Sequence, residues 1–548
     1  MGVRFIALTS VFGIAFAVLG FNLFHLQIQK GPYYLARAEA RNQALAQATL
    51  TRGEISITDQ NGDRIVAAMD KAYPVIYAVP QEIADPTSTA AALAPVIGWN
   101  PANLAQAISN PKSLFRMLVE KASSSTLAAV DSLNLKGIYT DEKNYRYYPF
   151  GDFASHIIGF VGLTASTTQP VGLYGLEKYY QPQLAAGDNI QTTIDRTLQA
   201  QSESMLENLV TTHQAQSGTV LIEEPKTGAV LAFATYPSFD PNNYASTSVS
   251  LFTNQGTQYF YEPGSVFKPI TMAIGINDGI LTSSTMYTDP GHVILNGQRI
   301  DNYNHRAYGP GTSMTEVLMH SINTGAVWAE QQIGDTIFKK GVFDFGFGAP
   351  TGIDLPGESP GRVVNITRPD AQTIDFAETA FGQGIGVTPI QMANAYSVLA
   401  NGGLLMRPYL NSALGPKVVR RVISTSTAAE VRQMMMAAAE GGGVATVPSF
   451  HVAGKTGTAQ IPDLVHGGYT QNYIDTFAGM IPATDPKLVI LVEMNDAKID
   501  GDLAALSVVP AWRKLAEFAV NYYNLQPDNP QNLITQPPRV GNWQLDGP

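Results

Sequence analysis

The sequence predicts a mixed α/β (α+β) protein in which a membrane-spanning helix precedes folded units that contain both strands and helices. Three observations predict this class: an uncharged apolar stretch at the N-terminus, strand-and-turn patterns after residue 52, and alternating strand and helix patterns between residues 217 and 525. The chain has 548 residues, 45% of them hydrophobic. That length and composition allow a large core and roughly three or four units.

The apolar stretch runs from Phe5 to Leu26, follows Arg4 and carries no formal charge. About 22 helical residues at about 1.5 Å each span about 33 Å, which crosses a hydrocarbon core of about 30 Å. A cleaved signal peptide has a shorter apolar region, of about 7–15 residues, that ends in a small-x-small site. The nearest such site, Ala44-Leu45-Ala46, lies too far along the chain. We therefore expect residues 1–28 to form a short cytoplasmic end and an uncleaved membrane anchor.

Composition excludes several classes of function. Charged residues make up 14% of the chain, and the net charge is −11 without a dense Lys/Arg run, which argues against nucleic acid as a partner. The absence of cysteine excludes disulfides and thiolate metal sites. The eight histidines show no metal-ligand spacing, so we expect neither a metal site nor a cofactor.

The first folded unit is predicted from local turn and capping patterns. In the stretch RGEISITDQNGDRIVAA, residues 59–62 form a hairpin-type turn between two apolar segments. Residues 85–135 are rich in Ala and Leu and predict short helices. A strand then runs into an amphipathic helix that begins near Thr193 or Asp195, since both are good capping residues.

A second unit begins near Ser217. There, residues 225–228 join two apolar strands, and strand and helix patterns alternate without a break to about residue 525. The remaining tail is polar and rich in proline, which predicts a disordered or extended segment. The predicted domains are therefore residues 29–215 and 216–525, followed by a tail at 526–548.

The sequence Ser265-x-x-Lys268 supplies a candidate nucleophile and base. On a helix, residues three apart share one face at about 5–6 Å between Cβ atoms, and Pro269 is tolerated if the helix has just begun. Lys268 acts as a base only when neutral, and burial together with a second cation such as Lys455 lowers its pKa. An isolated Ser-x-x-Lys is more often a helix cap with a solvated lysine.

Ser321 and Asn323 form a second polar cluster. The hydroxyl of Ser321 can shuttle a proton between Lys268 and a leaving amine, and the Asn323 side chain can hydrogen-bond a substrate backbone amide. Taken alone the pattern is weak, because helix capping explains it equally well. The chain also repeats it at Ser132-Leu133-Asn134, to which we assign no role.

The third cluster is Lys455-Thr456-Gly457-Thr458, in an extended segment where glycines let a ligand approach the backbone. Lys455 supplies positive potential, and Thr456 and Thr458 are candidates to bind a substrate carboxylate. The backbone N–H groups of Ser265 and Thr458 are candidates for an oxyanion hole, in which each donor contributes about 3–4 kcal/mol. The earlier copy at residues 226–228 lies in a predicted turn and is interpreted as structural.

The order of the three clusters is more specific than any one of them. They lie roughly 55 and 130 residues apart, in the order typical of serine acyltransferases that act on D-alanyl peptides or β-lactams.

With these residues assembled, the chain resembles the class B penicillin-binding proteins, which are monofunctional D,D-transpeptidases. The resemblance extends to segments 345–358, 380–403 and 477–483 and, in the first unit, to YPFGDFASHIIGFVG and GLYGLEKYY. Two segments depart from the family: Asp-Gln-Asn-Gly at 59–62 in place of Asp-Arg-Asn-Gly, and DGDLAALSVVPAW in place of a Gly-Gly-rich, Ala-Pro-containing segment. YEPGSVFKPIT and SINTG are more similar to the division branch than to the elongation branch.

The resemblance implies the architecture, the reaction and the partners. Residues 29–215 form an elongated α+β pedestal of the dimerisation type. Residues 216–525 form a penicillin-binding, serine β-lactamase-like transpeptidase domain with a central antiparallel sheet flanked by helices. Ser265 attacks the penultimate D-Ala of a stem peptide, D-Ala leaves, and an amine from a neighbouring stem resolves the acyl-enzyme, while β-lactams acylate the same serine. Implied partners are the lipid-linked precursor and a polytopic SEDS-type glycosyltransferase. The implied location is the inner (cytoplasmic) membrane, crossed once, with the catalytic domain outside the cytoplasm.

Three alternatives remain open from the sequence. A β-lactamase or D,D-carboxypeptidase would hydrolyse the acyl-enzyme, but the Glu-x-x-Leu-Asn base of class A β-lactamases is absent between Asn323 and Lys455. A β-lactam-binding scaffold or sensor without turnover keeps the same Lys and Ser residues. A bifunctional glycosyltransferase-transpeptidase is disfavoured, because the region between the anchor and the transpeptidase domain resembles a pedestal and not a glycosyltransferase.

Overall fold

The structure is a computed structural model of the chain that describes residues 2–31, 51–164, 170–441, 445–463, 466–498 and 503–531. Backbone contacts divide the chain into two units. The first contains residues 1–53, 69–147 and 185–188, and the second contains residues 54–68, 148–184 and 189–548. The second unit thus includes residues 148–184 and 189–215, which the sequence analysis groups with the pedestal.

The N-terminal apolar stretch forms one helix, Gly2–Phe24, which continues as a π-helical turn over His25–Gln29. Within the described residues it is the one helix whose length and composition suffice to cross a membrane, over the window Phe12–Gln29. A helix is therefore present where the sequence predicts the anchor.

The rest of the first unit is a small sheet covered by short helices. Residues 69–78 of the strand Arg64–Ala78 pair antiparallel with the strands Arg116–Val119 and Ile138–Tyr147. The prediction of short helices between residues 85 and 135 is confirmed by Pro86–Ile97, Pro101–Ala107 and Ser124–Ser132. Each begins after a capping side chain that accepts hydrogen bonds from first-turn N–H groups. The strand Arg116–Val119 between them was not predicted.

The second unit opens with the predicted hairpin, which joins the strand Ile55–Thr58 to residues 64–68. The Asp59 carboxylate accepts hydrogen bonds from the backbone N–H groups of Asn61 and Asp63, at 2.8 and 2.9 Å. Ile55–Thr58 also pairs in parallel with Ile190–Asp195. Asp195 then caps the helix Arg196–Thr212 by accepting from Thr197 N and Leu198 N, so the predicted helix start is confirmed.

A five-stranded antiparallel sheet lies at the centre of the second unit, as the family resemblance implied. Its strands follow in the order Ala453–Pro462, Tyr469–Ile481, Leu488–Asn495, Ser217–Glu224 and Ala229–Tyr236. The last two are joined by the predicted turn at residues 225–228. The strand Ala453–Pro462, which carries the third sequence cluster, is thus at one edge of the sheet.

Helices cover both faces of this sheet. Successive residues of a strand point to opposite sides, and in the central strands the side chains on both sides are buried. Val220 and Ile222 belong to a buried cluster with the helices Arg196–Thr212 and Val508–Tyr522, where Trp512 Nε1 donates to the Ile490 carbonyl at 2.9 Å. Leu221 belongs to the cluster on the other face, together with the helix Pro389–Ala400, which is buried along its whole length. Each fully buried Leu or Ile contributes about 1.5–3 kcal/mol, and this packing fixes the frame of the site.

The second unit contains further helices, 3-10 turns and paired strands. The helices and 3-10 turns are Ser155–Ile158, Gly175–Tyr179, Gln181–Ala185, Pro241–Ser246, Val249–Phe252, Gln255–Gln258, Gly264–Phe267, Lys268–Asn277, Tyr303–His305, Met314–Met319, Asn323–Ile333, Asp335–Asp344, Val364–Thr367, Thr373–Ala380, Ser412–Leu414 and Thr425–Glu440. The paired strands are Val161–Gly162 with Val171–Gly172, Met286–Asp289 with Gly309–Ser313, His292–Leu295 with Gln298–Asp301, and Leu404–Met406 with Val418–Arg421.

The first residues of the predicted tail bind to the second unit. The Asp528 carboxylate accepts hydrogen bonds from His451 N at 2.7 Å and from Thr484 N at 3.1 Å. Asn529 N donates to the Ser449 carbonyl at 3.0 Å. The tail beyond residue 531 lies outside the described residues.

Candidate active site

Ser265 lies in the nucleophile turn, the 3-10 turn Gly264–Phe267, which runs directly into the helix Lys268–Asn277. The α-helix itself thus begins three residues after the serine, and Pro269 occupies its first turn. Buried Tyr396 stabilises the turn, because its hydroxyl donates to the Val266 carbonyl at 2.9 Å. Ser265 is partly exposed between buried neighbours, as a nucleophile must be.

The K-T-G strand, Ala453–Pro462, packs against this turn at Gly457. A Cβ atom at Gly457 would lie 2.7 Å from the Pro263 carbonyl oxygen and 3.3 Å from Val266 N. From the sequence, this glycine was predicted to let a ligand approach the backbone. In the structure, the group that approaches the backbone of Gly457 is the nucleophile turn. The close approach brings the strand beside Ser265.

Lys268 is fully buried and links the first cluster to the second. Its Nζ donates to the Ser321 carbonyl at 2.5 Å, to Ser321 Oγ at 3.2 Å and to Asn323 Oδ1 at 2.8 Å. Burial, and then the nearby charge of Lys455, hold the pKa of Lys268 well below its ordinary value. Both causes were predicted from the sequence.

These contacts are compatible with a neutral amine. Three acceptors around one nitrogen suit an ammonium, yet desolvation without a carboxylate partner disfavours the charge. A neutral amine has two N–H groups and one lone pair, and a hydroxyl can either donate or accept. The two N–H groups then donate to the Ser321 carbonyl and to Asn323 Oδ1. The lone pair of the Lys268 nitrogen can then accept a proton from a hydroxyl group.

Ser321 and Asn323 lie where the helix Met314–Met319 gives way to the helix Asn323–Ile333. Ser321 has a φ of +55°, a left-handed conformation that non-glycine residues seldom adopt and that concentrates at functional sites. Of the two amide N–H groups of Asn323, one is donated to the Asp301 carbonyl at 3.0 Å. Among the described residues, no acceptor is found for the second N–H group.

A network that the sequence did not reveal fixes this helix start. Asn302 Nδ2 donates to both carboxylate oxygens of Asp289, at 3.0 and 3.1 Å, and Asn302 Oδ1 accepts from Thr324 N at 3.0 Å. The Asp289 carboxylate also accepts from Tyr308 N at 2.7 Å. These residues come from separate short segments, so no local sequence motif identifies them.

Lys455 is buried in the K-T-G strand, with 4% of its surface exposed. Its Nζ donates to the Thr456 carbonyl at 3.1 Å and to Thr456 Oγ1 at 3.3 Å. Burial lowers the pKa of Lys455 to about 7. Near neutral pH this amine therefore exists in both charged and neutral forms, and its charged form adds to the effect of burial in lowering the pKa of Lys268.

The hydroxyl groups of Thr456 and Thr458 have different hydrogen-bond partners, although residues two apart on a strand lie on the same side. The Thr458 hydroxyl donates to Asp475 Oδ1 at 2.9 Å and accepts from Ala504 N at 3.1 Å. In this structure its single proton is given to Asp475, and the role of Thr458 in binding a substrate carboxylate stays a prediction. Asp475 belongs to no motif, and the sequence analysis missed it.

Comparisons with known proteins agree with this geometry. The family described as "Penicillin binding protein transpeptidase domain" matches residues 218–511, and the one described as "Penicillin-binding Protein dimerisation domain" matches residues 48–220. Stage V sporulation protein D of Bacillus subtilis is 32% identical over 494 residues, covering 82% of this chain and 74% of that protein. Peptidoglycan D,D-transpeptidase FtsI of Escherichia coli is 28% identical over 564 residues, covering 96% and 92%.

Two further proteins complete the comparison. The probable peptidoglycan D,D-transpeptidase PbpC of Pseudomonas aeruginosa is 28% identical over 576 residues and is matched over 99% of both chains. The crystal structure of penicillin-binding protein 2X from Streptococcus thermophilus superimposes with a TM-score of 0.70 at 21% identity, over 87% of this chain and 80% of that one. At that identity the superposition establishes the fold.

Proposed function

The chain belongs to the class B penicillin-binding proteins, and from that premise we propose that Ser265 is the nucleophile of its peptidoglycan D,D-transpeptidase reaction. The protein is a serine-type D-Ala-D-Ala transpeptidase that acts on peptidoglycan stem peptides and is acylated by β-lactams. Two of the relatives are named as peptidoglycan D,D-transpeptidases. Transpeptidation is therefore favoured over the hydrolase and sensor alternatives.

In the proposed reaction, neutral Lys268 removes the hydroxyl proton of Ser265 as its oxygen attacks the penultimate D-Ala carbonyl. The backbone N–H groups of Ser265 and Thr458 bind the developing oxyanion. The proton passes from Lys268 through the Ser321 hydroxyl to the leaving nitrogen, the C–N bond breaks, and D-Ala departs. The ester on Ser265 is then attacked by an amine of a neighbouring stem, whose proton returns along the same route.

Substrate binding is proposed to involve all three clusters. The second N–H of Asn323 hydrogen-bonds the donor peptide backbone. The Lys455 ammonium and the Thr456 hydroxyl bind the terminal carboxylate, since Thr456 accepts from Lys455 and keeps its own proton. Gly457 keeps the strand against the nucleophile turn, and Thr458 contributes its backbone N–H.

One observation carries this assignment: Lys268 Nζ lies within hydrogen-bonding distance of both Ser321 and Asn323, residues more than 50 positions away along the chain. An isolated helix cap with a solvated lysine predicts neither the burial of Lys268 nor these contacts. These contacts between the first and second clusters support the proposal.

Intact-mass spectrometry with excess benzylpenicillin tests the assignment. The unmodified protein is expected to gain one penicilloyl adduct, and Ser265→Ala to gain none. The chain offers matched controls in its second copies of two motifs, because Ser132→Ala and Lys226→Ala should leave the adduct unchanged. An adduct on Ser265→Ala, or none on the unmodified protein, contradicts the proposal.

We further propose that residues 1–28 anchor the chain in the inner membrane with the catalytic domain outside the cytoplasm, and that residues 29–215 act as a pedestal for a transpeptidase domain at 216–525. The apolar N-terminal helix supports the anchor, and the two family matches support the division of roles. Alkaline extraction of membranes tests the anchor, since a cleaved chain would start after residue 28 and be released.

A division-type role and a SEDS-type polymerase partner are proposed from the family resemblance. The relatives include a division-type FtsI and a sporulation protein. Crosslinking of lipid-linked pentapeptide precursor by the purified chain should require the cognate polymerase. Equal crosslinking without any polymerase would contradict the partnership.

A further inference from the structure

The Asp475 side chain joins the K-T-G strand to the start of the last helix. Resting on the proposed function of Thr458, we propose that Asp475 is a positioning residue for the transpeptidase reaction: it holds Thr458 by its hydroxyl and so fixes the backbone N–H that serves the oxyanion.

The contacts of Asp475 are specific and buried. The residue is 2% exposed and lies directly opposite Thr458 in the register of the two strands. One carboxylate oxygen accepts from the Thr458 hydroxyl at 2.9 Å, and the other accepts from the Ser507 hydroxyl at 2.7 Å. Hydrogen bonds to an ionised acceptor are roughly twice as strong as neutral ones.

The direction of the protons follows from chemistry. An ionised carboxylate only accepts hydrogen bonds, and a threonine hydroxyl has one proton to donate. That proton is committed to Asp475, while Ala504 N donates to one of the hydroxyl lone pairs at 3.1 Å. In this structure the Thr458 side chain therefore ties the K-T-G strand to Asp475.

The need for a fastening comes from the position of the strand. Ala453–Pro462 lies at the edge of the five-stranded sheet, so one side of its backbone faces the site and has no strand neighbour to hold it. Asp475 links it instead to Ser507, which directly precedes the helix Val508–Tyr522, and thus to the buried cluster around Trp512. A displacement of about 1 Å at a reacting group costs about a hundredfold in rate.

The experiment is a set of acylation time courses with benzylpenicillin, followed by intact mass on the full chain. The variants are Asp475→Ala, Asp475→Asn, Thr458→Val, Thr458→Ser and the double variant Asp475→Ala with Thr458→Val. Asp485→Ala is the matched control, because that exposed carboxylate of the same sheet bonds Lys226 and Lys487. Saturation curves separate the binding constant from the acylation rate, and thermal unfolding is recorded for each variant.

Asp475→Ala and Thr458→Val are each expected to lower the acylation rate between about tenfold and a hundredfold, with the binding constant little changed. The double variant should fall no further than either single variant, because both remove the same link. Asp475→Asn keeps an acceptor and Thr458→Ser keeps the hydroxyl, so both should approach the unmodified rate, as should Asp485→Ala.

Three results would overturn the inference: a normal rate in Asp475→Ala, multiplied losses in the double variant, or losses that merely follow the unfolding temperature. If Asp475→Ala does not fold, the pair of Thr458 variants decides, since equal rates for Val and Ser exclude a role for the hydroxyl. An adduct on the unmodified protein shows that the proposed function stands even where this inference fails. Absence of that adduct refutes the proposed function instead.

Discussion

The two buried lysines predict a bell-shaped dependence of acylation on pH. The reaction proposed for Ser265 requires Lys268 to be neutral and Lys455 to be charged. Burial and the charge of Lys455 lower the pKa of Lys268 well below its ordinary value, which moves the rising limb to lower pH than an exposed lysine would give. Burial lowers the pKa of Lys455 to about 7, which places the falling limb near neutrality.

The size of the fall follows from the titration of Lys455. With a pKa of about 7, the charged fraction of this amine drops from about 91% at pH 6 to about 9% at pH 8, close to tenfold or about 1.4 kcal/mol. Loss of its proton also removes the smaller of the two effects that lower the pKa of Lys268, so the two amines titrate as a coupled pair with shared apparent pKa values. The second-order rate constant for benzylpenicillin should therefore fall about tenfold between pH 6 and 8.

The assay is the time course of the penicilloyl adduct at fixed ionic strength from pH 5 to 9. The methyl ester of benzylpenicillin is the matched ligand, because it keeps the reactive ring and lacks the carboxylate that Lys455 binds. Its falling limb should be much shallower. A rate constant for benzylpenicillin that continues to rise from pH 6 to 9, or identical profiles for the two ligands, would refute the role given to the Lys455 ammonium.

Three further predictions concern stability, packing and recognition. Glu223 is buried, and desolvation raises its pKa to about 8. Because the unfolded side chain ionises near 4.5, stability should fall as pH rises from about 4.5 to 8. Glu223→Gln should remove that dependence, with a gain on the order of 5 kcal/mol at pH 8, measured by denaturant unfolding at pH 5.5 and 8. Gly457→Ala should slow acylation at least tenfold with little change in secondary structure, because its Cβ would lie 2.7 Å from the Pro263 carbonyl oxygen and displace the strand by a fraction of an ångström; a normal rate contradicts this packing. Thr456→Val should weaken acylation by benzylpenicillin about fivefold to tenfold and leave its methyl ester unaffected, so equal losses for both ligands exclude carboxylate recognition.

Features determined by neighbours in sequence were predictable. The helix start at Asp195 and the turn at residues 59–62 follow from capping and turn chemistry, and the structure shows both. The pairing of Lys268 with Ser321 was also predictable, but only because the order of three short motifs stood in for the fold. Neither local chemistry nor motif order requires knowledge of strand register.

Features created by register were not predictable. Asp475 is an ordinary residue of a strand until the pairing places it opposite Thr458. Gly457 was correctly marked as a point of close approach, but the approaching group is the Pro263 carbonyl. The left-handed conformation of Ser321 is likewise imposed by the junction of two helices, since serine has no intrinsic preference for it.

The base of this site is made by the fold and not by any residue alone. On an exposed helix Lys268 would be charged at neutral pH and could not deprotonate a serine. Burial removes the water that stabilises its charge, and the single charge of Lys455 both repels a second proton and attracts the substrate carboxylate. A bound carboxylate therefore stabilises the proton on Lys455, while its negative charge offsets part of the repulsion felt by Lys268. In the proposed mechanism the two lysines are therefore most effective when Lys455 is closer to the carboxylate than Lys268 is. Lys455 and Thr456 share the edge strand, whereas Lys268 begins the helix that follows the nucleophile turn.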